Sequence, residues 1–169
     1  MRLAKVLLLV ALVSVVLATV ALPSGAARRP PVEDGTLTVR EGRAAIQLRM
    51  RGTVIGRLGK GRLTVTDSAD GATIIVRGEE DEIPISGRTT VYSGRNIRFR
   101  IADDKRFVVK LAGKGLNFSA VGRGDGSIDG WGDPDDGVFY DGTYSLNGVE
   151  FPTLPNERTR FELAAPPSD

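Results

Sequence analysis

The chain has 169 residues, 41% of them hydrophobic, with 23 basic residues, 21 acidic residues and 21 glycines. That suffices for one ordinary domain with a core and a short extra segment. It contains no cysteine and no histidine, which excludes disulfides, thiolate nucleophiles, lipid attachment through a cysteine, and the usual histidine-based catalytic and zinc sites. Without Arg2 and Lys5 the basic and acidic residues balance, so no net basic field is expected to attract nucleic acid.

Residues 1–27 read as an export segment. Arg2 and Lys5 precede an apolar run from Val6 to Leu22, and small residues follow at Ser24-Gly25-Ala26-Ala27. This is the pattern of a cleaved signal peptide or, if retained, of an N-terminal hydrophobic helix that anchors the chain through residues 6–22. Arg28 and Arg29 beyond the run make charge a poor arbiter of orientation. Residues 28–35, with Pro30-Pro31, are expected to be a linker.

From Thr36 onward the apolar period is two rather than 3.6. Ala44, Ile46, Leu48 and Met50 alternate with Ala45, Gln47 and Arg49. Ile97, Phe99 and Ile101 alternate with Arg98 and Arg100, and Phe107, Val109 and Leu111 alternate with Val108 and Lys110. This is the signature of strands with one buried and one wet face. A pattern also occurs twice. Thr38-Val39-Arg40-Glu41-Gly42-Arg43 leads through two strand-like stretches to Gly59-Lys60-Gly61. Thr90-Val91-Tyr92-Ser93-Gly94-Arg95 leads likewise to Gly113-Lys114-Gly115. We read an internal duplication with units at about 36–67 and 88–121.

Turns are expected at Gly59-Lys60-Gly61, Asp70-Gly71, Asp103-Asp104-Lys105 and Gly113-Lys114-Gly115. The acidic run Glu79-Glu80-Asp81-Glu82 reads as a solvated connection between the units. In the last third, Asp141-Gly142 and Asn147-Gly148 separate strand-like stretches and suit tight hairpins. Thr159, Phe161 and Leu163 mark a final strand, and residues 164–169 a frayed tail. Residues 36–163 thus form a single β domain of about twelve short strands. The expected fold class is all-β, a sandwich or barrel built from a duplicated four-stranded meander plus C-terminal hairpins. Phe99, Phe107, Phe118 and Phe161 are expected in the core.

One stretch resembles a site in composition. Asp125, Asp129, Asp133, Asp135, Asp136 and Asp141 cluster in a Gly-rich segment around the single Trp131. Calcium takes six to eight oxygens of this kind, so Asp125, Asp129, Asp133, Asp135 and Asp136 are the candidate metal ligands. The spacing does not fit an EF-hand loop. Trp131, between two glycines, is the candidate ligand-binding side chain, able to stack on a sugar ring or cap the core. Arg123-Gly124-Asp125 matches an integrin-type tripeptide, which a Gly-rich chain produces by chance. The two Gly-Lys-Gly segments lack the frame and helix of a phosphate loop.

No spacing selects a pair of catalytic carboxylates. The leading expectation is therefore an exported, non-catalytic β domain of a bacterial cell envelope. It would act as a structural or interaction module, secreted or at the outer face of the membrane, with an envelope component or polysaccharide as partner. The alternative is a carbohydrate- or calcium-binding module using the 122–142 loop. A carboxylate-dependent hydrolase is the remote third, and no other cofactor is expected.

Overall fold

The computed structural model describes residues 34–132 and 141–164. All of them fall in one compact unit, Val32–Asp169. The expectations for residues 1–33, 133–140 and 165–169 lie outside the described residues. Six strands make up the regular structure: β1 (Gly35–Asp67), β2 (Thr73–Ser86), β3 (Thr89–Gly130), β4 (Thr143–Leu146), β5 (Val149–Phe151) and β6 (Thr159–Leu163). They form a single antiparallel sheet, and no helix occurs among the described residues.

Two strands dominate, and they replace most of the twelve short strands expected. Between residues 44 and 67, β1 pairs along both of its edges with β3. Met50, for example, lies opposite Phe107 on one side and Gly124 on the other. Those two partners are seventeen residues apart on one strand. Extended, that length spans about 56 Å, whereas the two neighbours of a strand sit only about 10 Å apart. So β3 must curl around β1, and the sheet rolls up with one face inside. The inner face carries the core: Leu37, Leu48, Met50, Leu58, Leu63, Ile97, Ile101, Phe107, Leu111 and Leu116 are fully buried. Phe99, Phe118 and Phe161 join them as expected. The period-two pattern is thus the pattern of a rolled sheet's two faces.

The four-stranded meander within each unit is not formed. The segments of β1 pair with β3 rather than with each other. Alternation is common to a meander and to one long strand, and the glycines that look like turns are here bends within strands. Gly59-Lys60-Gly61 lies inside β1, and Asp103-Asp104-Lys105 and Gly113-Lys114-Gly115 lie inside β3. The acidic run is not a connection either, because Glu79, Asp81 and Glu82 pair in β2 with Gly94, Ser93 and Tyr92.

Other turn readings hold. Asp70 takes φ 59° in the β1–β2 loop, where the Asp67 carboxylate accepts N–H groups of Ala69, Asp70, Gly71 and Ala72 at 2.8–3.2 Å. Asn147 and Gly148 take φ 49° and 83°, the left-handed pair a two-residue hairpin needs, and join β4 to β5. Tyr144 and Phe151 stack across that hairpin with ring centroids 4.4 Å apart. Strand β6 pairs with the end of β3 and buries Phe161 and Leu163.

Candidate anion-binding face

A line of backbone irregularities crosses the rolled sheet. Gly78, Asn96, Gly115 and Glu41, on four of five adjacent strand segments, all take positive φ; the fifth, the β1 segment at Gly59, lies between those of Asn96 and Gly115. The pairing registers skip at the same places: Arg77/Glu79, Leu58/Lys60 and Gly42/Arg43. At Arg77/Glu79 the register changes, the mark of a β-bulge, whereas around Gly59 both strands advance by two residues and one facing pair is missing. Asn117 ties two of the irregularities together. Its Oδ1 accepts the Glu41 N–H at 3.1 Å, and its Nδ2 donates to the Gly115 carbonyl at 3.3 Å.

These irregularities have a chemical consequence. Across them, positions i and i+3 are both exposed, as are Arg57 and Lys60 on β1 and Arg95 and Arg98 on β3, so basic residues on both flanks of the bend face outward together. On one flank, Arg95 pairs with Lys60, Lys60 with Lys114, and Lys114 with Arg43. On the other, Arg77 pairs with Arg98, Arg98 with Arg57, and Arg57 with Asn117. All seven basic side chains are exposed. The four residues of the first row are the basic residues of the repeated motif: Arg43 and Arg95 from the two T-V-x-x-G-R segments, Lys60 and Lys114 from the two Gly-Lys-Gly segments. Four places between Arg43 and Lys114 in the sequence become neighbours at about 4.8 Å strand spacing.

Among the described residues, none of these seven makes an ion pair; the one present joins Arg123 to Asp34 at 3.0 Å, elsewhere on the surface. Like charges directly opposite one another destabilise a sheet by about 0.2–1 kcal/mol per pair. The same sheet shows a benign alternative where Thr66 and Thr89 face each other with hydroxyls 3.0 Å apart. The basic rows therefore cost stability that neutral residues would not. Beside them lies a shallow depression of about 500 Å³. Arg57, Arg77, Arg98 and Arg100 line it together with Ile55 and Ile75. Four arginines border this largely apolar concavity, and a guanidinium's planar fork can bind phosphate or carboxylate oxygens in pairs.

The residues singled out from the sequence are distributed differently. Asp125 and Asp129 stand on one face of β3, four residues and so about 13 Å apart, too far to share an ion whose oxygens each lie at about 2.5 Å. Asp125 instead lines a cleft of about 340 Å³ with Arg49, Arg158 and Arg160. Asp133, Asp135 and Asp136 lie outside the described residues. Among the described residues, no group of three acidic side chains is placed to hold a metal ion. Trp131 is 41% exposed, and its N–H donates to the Arg43 carbonyl at 2.9 Å. Asp141 is buried at the end of the roll near Gly130 and Arg43, with Oδ1 lacking a partner among the described residues. Burial raises its pKa, against the opposing pull of Arg43 and of the Trp131 N–H.

Sequence reasoning found the repeated motif but missed the face it builds. A balanced net charge says nothing of how charge is segregated, and the segregation follows from cross-strand register. No protein-family model matches the chain, and no curated protein or solved structure matches it either.

Proposed function

We propose that the protein is an exported, non-catalytic binding domain whose basic outer face holds an anionic component of the cell envelope. The observation that carries this reading is the row Arg95–Lys60–Lys114–Arg43, four like charges side by side on adjacent strand segments with no acidic partner among the described residues. Such a row lowers stability, and a bound polyanion is what would reverse its sign. The N-terminal pattern of residues 1–27 supports export, by cleavage or with a retained anchor. Export also makes an envelope anion, rather than nucleic acid, the partner in reach.

The internal duplication belongs to this reading. Lys60 pairs with Lys114, Arg95 with Lys60 and Arg43 with Lys114, the order that a twofold axis between the two lysines would generate from a duplicated strand. Superposing residues 36–66 on 88–119 about that axis tests it.

The functional test is a titration of the full chain with long-chain inorganic polyphosphate, followed by anisotropy of a labelled probe. Binding should weaken steeply with salt and be lost in Lys60→Glu/Lys114→Glu. Dextran and calcium, titrated in parallel with Trp131 fluorescence as readout, examine the competing carbohydrate or calcium module. No polyphosphate binding at low salt, or binding indifferent to the double substitution, would refute the anion reading. A Trp131 response to dextran or calcium would replace it.

A further inference from the structure

Resting on that anion-binding reading, we infer that the ligand is an anionic phospholipid surface, with the basic face lying against the bilayer. The depression is not purely basic. Ile75 pairs with Arg100 and Arg100 with Ile55, so two isoleucines flank an arginine in one cross-strand row. They are 45% and 52% exposed, and the row lies two residues along the strands from Arg77–Arg98–Arg57.

A soluble polyanion makes no use of half-exposed isoleucines, which lose hydration free energy only when covered by something apolar. Recognition of single-stranded nucleic acid would call for aromatic platforms. Among the described residues, however, the exposed large apolar side chains other than Trp131 are all aliphatic, and Trp131, bonded through its backbone N–H to the Arg43 carbonyl at the end of the first row, is a single ring and does not line the depression. A bilayer presents both chemistries at the right depths, a plane of phosphates above acyl chains. Arginine can bind the phosphates while its stem lies along apolar surface. Isoleucines beside it enter the interface by a few ångströms, as on other peripheral binding surfaces.

The test is flotation of the full chain with vesicles of phosphatidylcholine alone and of phosphatidylcholine with 30% phosphatidylglycerol. The apolar run Val6–Leu22, with Arg2, Lys5, Arg28 and Arg29 around it, binds both vesicles and adds a charge-dependent part of its own, so the readout is the phosphatidylglycerol increment left after subtracting that of Arg57→Glu/Arg98→Glu/Lys60→Glu/Lys114→Glu. Arg57→Ala/Arg98→Ala should lower that increment about thirtyfold, roughly fivefold for each basic side chain near an anionic surface. Ile55→Ser/Ile75→Ser should lower it several-fold. All three variants alter exposed positions, and circular dichroism checks their fold. The wild type titrated with salt gives a second reading that needs no further variant: the increment should vanish by about 0.5 M. If the isoleucine variant keeps the full increment, or if phosphatidylglycerol adds nothing while polyphosphate still binds, the lipid inference falls and the anion-binding face stands. If neither vesicles nor polyphosphate bind, both fall.

Discussion

Two carboxylates set opposite pH dependences. Asp141 is buried, and burial holds its pKa above the ordinary 3.8 despite Arg43 and the Trp131 N–H. The folded chain therefore keeps this proton over a range where the unfolded chain has released it. Its contribution to stability is greatest in acid and declines as pH rises from about 3.8 through the folded value. Asp67 behaves the other way. Backbone N–H groups, that of Gly71 foremost, depress its pKa, so its contribution is present above 3.8 and lost as pH falls through the folded value. Asp141→Asn should accordingly raise the melting temperature at pH 7, by the order of 1 kcal/mol for relieving a buried, partly unsatisfied charge, with the gain closing below pH 4. Asp67→Asn, as the contrast, should lower it at pH 7. A lower melting temperature for Asp141→Asn at pH 7 would mean that attraction to Arg43 outweighs burial.

At the scale of the strand, the roll depends on corners that the chain can turn only without a side chain. Gly52 takes φ 127° opposite Gly122, at the point where β1 leaves its pairing with the Phe107 segment and meets the Asp103 segment. A Cβ built at Gly52 would strike the Val121 carbonyl, and one at Gly122 would strike the Arg51 carbonyl. Gly52→Ala should therefore cost about 3 kcal/mol or more, seen as a lowered midpoint in urea. A change within 0.5 kcal/mol would show that the corner relaxes freely. Corners of this kind explain what the sequence made legible and what it did not. Alternation named the inner face correctly, down to Phe99, Phe107, Phe118 and Phe161, because burial depends only on which side a residue points. The hairpin at Asn147-Gly148 was legible because its two residues alone specify the turn. Gly59 and Gly115 were not, since a glycine that bends a strand and one that ends it look alike in one dimension. The basic face was hidden for a further reason. Arg43, Lys60, Arg95 and Lys114 become neighbours through a register set by the whole roll, which no local pattern encodes.

Across the whole molecule, near-neutral charge conceals a segregated surface. Acidic residues concentrate in β2 at Glu79–Glu82, while the basic rows run along the bend. Lys114 sits at the middle of the longer row, between Lys60 and Arg43. Lys114→Glu would turn two like-charge contacts into two opposite ones, worth about 1 kcal/mol in all at low salt. Added salt should separate the two proteins further by its sign of action. The Debye length falls from about 10 Å at 0.1 M to about 3 Å at 1 M, so screening relieves repulsion in the wild type and weakens attraction in the variant. The wild-type melting temperature should thus climb with sodium chloride while that of Lys114→Glu falls or stays level, the two converging near 1 M. Polyphosphate binding should be weakened in the same variant that is more stable, the trade expected where a binding face is kept at the expense of the fold. Should Lys114→Glu prove less stable at low salt, the row would be no burden to the sheet, and the argument that it persists for a ligand would lose its footing.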